Sequence, residues 1–192
     1  MDPFEYVVVL TSLILGLGIA QILTSLADIL SNLKHVKLSI SHGLLTATVF
    51  FLHIQEWWIN YEYSQQIKIW TLPIILVILT YPILLFLLAR MLFPTGIRGH
   101  ETDLDSYYRD QWPWFFGIAF GTMMISIWQN MFLQKLPLQD SWPQIAFGSI
   151  YLIMMIFRIK NKWIHITIQA LWLLGLLGYM ITDDRTLNQF MN

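Results

Sequence analysis

Apolar residues dominate this chain in blocks of about a transmembrane length, and polar residues cluster in the joints between them. Six blocks stand out: 4–30, 39–59, 70–92, 114–133, 142–157 and 163–181. A hydrocarbon core about 30 Å thick takes about 20 helical residues, so the pattern predicts six membrane-spanning helices. The block 142–157 is the shortest, and is expected to tilt, to be partly re-entrant or to extend through Ile159. Transmembrane strands would be about 10 residues long and would alternate apolar with polar positions. These blocks are longer and apolar all round, which excludes a β-barrel. The expected fold is all-α: a polytopic membrane protein, a bundle of six transmembrane helices in a single domain over residues 1–192.

Charge then sets the orientation. Lys34, Lys37, Arg90, Arg98, Arg109, Arg158, Lys160 and Lys162 lie in the joints after the first, third and fifth blocks. Only Lys68, Lys135 and Arg185 lie on the other side. Basic joints stay cytoplasmic, so both termini are expected outside, where Asp2, Glu5, Asp183 and Asp184 are compatible with them. Trp57, Trp58, Trp70 and Trp142 fall at the outer block ends, and Trp112, Trp114 and Trp163 at the inner ones, as interfacial rings should. The start, with Asp2 and Glu5 ahead of a long apolar run, lacks the basic region of a cleavable signal.

The longest joint, 93–113, is expected to be a cytoplasmic interfacial loop that opens on Pro94 and Gly96. Its acids and bases alternate around Leu104, Tyr107, Tyr108, Trp112 and Trp114. That pattern suits a short helix on the inner leaflet. It also suits a docking surface for a cytoplasmic protein, with Asp103, Asp105, Tyr107, Tyr108 and Arg109 as its contacts. Three blocks on either side of the joint admit an inverted repeat, with Gly16, Gly18 and Gln21 answering Gly117, Gly121 and Gln129.

Polar groups inside the blocks are the candidate chemistry, because a buried ionisable group in a bilayer is costly. In the second block His42, Thr46, His53, Glu56 and Asn60 fall within roughly 40° of one line on a helix. Lipid cannot satisfy such a stripe, so it is expected to face the bundle interior or a wet path. Gln21 and Asp28 in the first block, Gln129 and Asn130 in the fourth, and His165 and Gln169 in the sixth extend it into one polar seam. A seam lining a path and a seam holding helices together share the same periodicity.

Several chemistries are excluded. There is no cysteine, hence no disulfide, thiolate ligand or thiol nucleophile. No protease, hydrolase or phosphate-loop motif occurs, so an enzyme is not expected. A net charge of −1 gives no reason for a nucleic-acid partner. His42 and His53, about 16 Å apart along a helix, cannot together ligate one haem, whereas His42 with His165 at the inner side leaves a single haem open. No metal or other cofactor is expected.

Three stretches carry a likeness. They are Phe4-Glu-Tyr-Val-Val-Val-Leu-Thr-Ser-Leu-Ile-Leu-Gly-Leu-Gly-Ile-Ala-Gln-Ile-Leu, His53-Ile-Gln-Glu-Trp-Trp58, and Tyr107-Tyr-Arg-Asp-Gln-Trp-Pro-Trp-Phe-Phe116. Together the chain resembles a widespread group of small bacterial multi-span inner-membrane proteins of unassigned function. The resemblance implies a bacterial inner (plasma) membrane and a helical bundle, and carries no activity or site residue across.

The leading functional expectation is a channel or small transporter for an ion or small polar solute, its path lined by the second block, in a homo-oligomer. The alternative is a non-enzymatic sensor or anchor that docks a cytoplasmic partner through 101–114. A haem or quinone redox subunit is a third.

Overall fold

The computed structural model describes residues 3–97 and 101–182. Asp2, Arg98, Asp183, Asp184 and Arg185, used above for orientation, lie outside the described residues. The described chain is all-helical apart from two strands of two residues each. Six α-helices follow one another: α1 Pro3–Ser31, α2 Ile40–Gln66, α3 Leu72–Met91, α4 Leu104–Phe132, α5 Trp142–Ile156 and α6 Lys162–Thr182. Four of them (α1, α3, α4 and α6) are long and apolar enough to cross a bilayer. Their outward faces are apolar: Leu13, Leu17, Leu76, Ile83 and Leu174 are all exposed. These are features of a membrane protein.

The arrangement follows from polarity. α2, the most polar of the long helices, packs against α1, α3, α4 and α6. Its stripe is therefore enclosed: His42, Thr46, His53, Glu56 and Asn60 are all buried. The more apolar α1 and α3 pack along each other, and α4 packs along α3 and α5. α6 leans mainly on α2 and touches α5 little. α1 thus packs along α3 while α4 does not pack correspondingly along α6, so the adjacency expected of an inverted repeat is not reproduced.

Two boundaries differ from the sequence reading. α2 runs to Gln66 rather than ending near residue 59. The joint 93–113 is loop only in its first part, since α4 already begins at Leu104. Asp103 caps it, accepting from the N–H groups of Asp105 and Ser106 at 2.9 and 3.0 Å. Leu104, Asp105, Tyr108 and Trp112 are buried by packing into the bundle. The segment is the first turns of a long helix, not an interfacial loop lying apart from it, although Pro113 sits within it.

Strands β1 (Val36–Lys37) and β2 (Thr102–Asp103) pair in parallel. They clip the α1–α2 joint to the α3–α4 joint. Lys162 at the start of α6 reaches Asp105 at 3.6 Å, which brings the α5–α6 joint to the same end. This is the basic end; the opposite end carries the α4–α5 joint and Trp142.

Candidate functional site

A cavity of about 860 Å³ enters the bundle from the Trp142 end, between α2, α3, α4, α5 and α6. On α4 it extends from Asn130 down to Ala119, about 16 Å along that helix. The deep part is mainly apolar, walled by Leu45, Val49, Leu88, Ala119 and Met123, with Thr48 and Thr122 among them. Polar groups lie nearer the mouth, among them Glu56, Ser126, Asn130 and Gln144.

Glu56 lines this cavity and is only 5% exposed. Asn60, one turn on, donates to the Glu56 backbone carbonyl at 2.8 Å and, more loosely, to Oε1 at 3.4 Å. Among the described residues it makes no salt bridge. Its electrostatic neighbours are the phenols of Tyr63 and Tyr81. Tyr63 donates to Gln129 Oε1 at 3.4 Å, and Gln129 Nε2 donates to the Val77 carbonyl at 2.9 Å. Pro82 inside α3 has no N–H for the Ile78 carbonyl, and the Gln129 bond falls on the neighbouring carbonyl of Val77. Asn130 donates to Ser141 Oγ at 3.0 Å and Gln144 to Ser126 Oγ at 3.4 Å. The Gln144 Oε1 is buried without a partner among the described residues.

A plug closes the cavity toward the basic end. Tyr151, at the cavity floor, stacks on Phe116 at 4.1 Å and donates to Gln169 Oε1 at 3.2 Å. Phe116 stacks in turn on the His165 ring at 5.5 Å, and Trp112 meets that ring edge-on at 5.0 Å. His165 Nε2 lies 2.8 Å from the Ile159 carbonyl, which assigns its proton to Nε2. Nδ1 is then the acceptor for the Tyr108 hydroxyl at 2.9 Å. Beyond the plug lies a second cavity of about 230 Å³, lined by Tyr108, Trp112 and His165 together with Asp105, Arg109 and Lys162.

The basic end is held by charge. Asp105 accepts from Ser39 at 3.2 Å and pairs with Arg109 and Lys162. Lys37 pairs with Asp103 at 2.8 Å. The Lys37 ammonium, helped by the Ser106 N–H, holds the Asp103 carboxyl down at about 2. Asp105 and Tyr108, expected to offer themselves to a partner protein, are buried and engaged internally; Tyr107 donates to the Met91 carbonyl at 2.7 Å, and Asp103 and Arg109 are the more exposed ones, paired with Lys37 and Asp105.

The seam expected from the sequence therefore divides. Glu56, Gln129 and Asn130 are brought together at the large cavity. His165 and Gln169 form the plug. His42 lies apart, its Nε2–H donating to the Leu92 carbonyl at 2.7 Å and its ring edge-on to Phe93. Thr46 bonds the His42 carbonyl at 2.9 Å. His53 donates from Nδ1 to the Val49 carbonyl at 2.7 Å, leaving Nε2 unpartnered against α1. Gln21, expected to bond across helices, bonds Ser25 of its own helix at 3.2 Å. Asp28 lies near the basic end of α1, where its carbonyl accepts from Asn32. Tyr63, Tyr81 and Gln144 were not singled out from the sequence. Gln144 in an otherwise apolar block was the available signal.

Among the described residues no group of three or more His, Cys, Asp or Glu side chains is placed to hold a metal ion. No family model, curated protein or solved structure matches the chain.

Proposed function

We propose that the chain is a bacterial inner-membrane transporter of six spans, non-enzymatic, with both termini outside, that moves a small polar or charged solute through the Glu56 cavity. One observation supports this above the others. Two cavities lie on opposite sides of a thin plug of Tyr151, Phe116, His165 and Tyr108, so a short rearrangement of side chains would join them. A path closed at one end and open at the other fits alternating access better than a standing pore. Of the polar stripe of α2, Glu56 reaches the cavity on a helix enclosed by others, which supports a solute contact there.

The six-span reading adds α2 and α5 to the four long apolar helices. α2 is long enough, and its polarity is turned inward. α5 has only 15 residues, but the turn Leu138–Ser141 leads directly into it. The orientation rests on the basic residues gathered at the end that holds Lys37, Arg109 and Lys162. The bacterial inner membrane rests on the resemblance alone.

The test is flux of small monovalent cations, organic ammonium ions and neutral polar solutes into proteoliposomes. Glu56→Gln should slow the transported solute at least tenfold while His42→Ala, outside the cavity, leaves it near the parent rate. Equal rates in the parent and Glu56→Gln would remove the path.

A further inference from the structure

The lining of the large cavity narrows the class of solute. Its described lining includes two acids, Glu56 and Asp140, and no Lys, Arg or His. Gln144 adds a buried oxygen that lacks a donor. Among the described residues the lining thus presents acceptors and two carboxyls with no basic side chain beside them. Yet it is poorly built for a bare inorganic ion, which takes six or so oxygen ligands at close range. Here one carboxyl stands beside apolar walls, and no cluster of three ligating side chains exists among the described residues.

The walls supply what an organic cation needs. Tyr63 and Tyr81 are electrostatic neighbours of Glu56, and Phe147 and Trp172 line the same cavity from α5 and α6 with ring centroids 4.3 Å apart. Aromatic faces attract ammonium groups, more strongly when water is excluded. Below Glu56 the wall is mainly apolar, and the Thr48 and Thr122 hydroxyls that share it are spent on the Leu44 and Ile118 carbonyls of their own helices. The size, about 860 Å³, suits a drug-sized molecule rather than a hydrated ion. α5 and α6 meet through Phe147 with Trp172 and Tyr151 with Gln169, not along their length.

We infer that the Glu56 cavity binds an amphipathic organic cation, an ammonium group on an apolar body, with the charge at Glu56 and the body against the floor. The inference rests on the transport reading above and specifies its substrate class. Two sources share this chemistry: a free hydrophobic amine, and the amine headgroup of a membrane lipid.

Binding of rhodamine 6G, a fluorescent amphipathic cation, to the full chain in phosphatidylglycerol nanodiscs tests it by fluorescence anisotropy. Saturable binding is expected, weakened at least tenfold by Glu56→Gln and by Gln144→Lys, each checked for a parent-like elution profile and helical content. Choline, which has the charge without the body, should compete at least a hundredfold more weakly than unlabelled dye. Competition by phosphatidylethanolamine placed in the disc assigns the lipid headgroup as the source; absence of it assigns a free amine. Equal dye binding in both variants, or choline competing as well as the dye, overturns the inference. If dye binding fails while Glu56-dependent flux of a small solute persists, the substrate class is wrong and the path stands; if both fail, the path falls with it.

Discussion

A carboxyl enclosed in an apolar bundle with no cation beside it has two ways to be satisfied: it holds a proton, or it holds a bound cation. Glu56 is in that position, and Asn60 alone does not replace the lost water. Glu56→Gln keeps the shape and removes the need for either. Its thermal midpoint should therefore equal or exceed the parent's when no cation is added, as differential scanning fluorimetry would read; a fall of several degrees would mean the carboxylate anchors the fold. Gln129 is the opposite case. Gln129→Leu would remove an acceptor from the Tyr63 hydroxyl and the side-chain donor from the Val77 carbonyl, and should cost about 1–3 kcal/mol in a denaturation midpoint. At the basic end, Asp103 should titrate near 2 in the parent and higher in Lys37→Ala, as carboxyl NMR would show. Because its folded value is depressed, the pairing contributes at neutral pH and is lost as pH falls through about 2.

Helix by helix, much was legible because apolar block length is set by the bilayer. The block at 70–92 became α3 at Leu72–Met91, and 163–181 became α6 at Lys162–Thr182. The pattern at 104–113 suits a short helix of its own, because Asp105, Arg109 and Asp110 resemble joint residues, whereas the structure runs it unbroken into α4 behind the Asp103 cap. The α2 stripe was visible from its period, but burial does not say which of its residues meets a cavity. That depends on where helices part, and periodicity carries no information about their separation. The glycines show the same limit. Of Gly16, Gly18, Gly117 and Gly121, only Gly18 marks a very close approach: a Cβ there would lie 2.2 Å from His53 Nε2. The His53 ring is fully buried and tied to Val49, so it cannot swing freely aside. Gly18→Ala should cost about 1–3 kcal/mol, and Gly16→Ala, with open space around it, much less. Combining Gly18→Ala with His53→Ala should cost less than the sum of the two single changes; strict additivity would separate the two positions.

For the molecule as a whole, the proposed mechanism is a bundle latched at its basic end and open at the other. The latch joins α2, α4 and α6 through Asp105, whose partners are Ser39, Arg109 and Lys162. The plug behind it is aromatic, so Phe116→Ala should raise basal leak of small solutes from proteoliposomes, provided the variant still inserts. The chain has no cysteine, which makes introduced thiols unambiguous reporters. The most direct measurement is labelling of Ser126→Cys in intact cells with a membrane-impermeant maleimide, beside Thr11→Cys, which is buried away from the cavity. Rapid labelling of Ser126→Cys from outside, slowed by bound rhodamine 6G, with Thr11→Cys inert, is the predicted result. A Ser126→Cys thiol that stays unlabelled, or that reacts only after the cells are opened, would contradict an outward-opening cavity around Glu56.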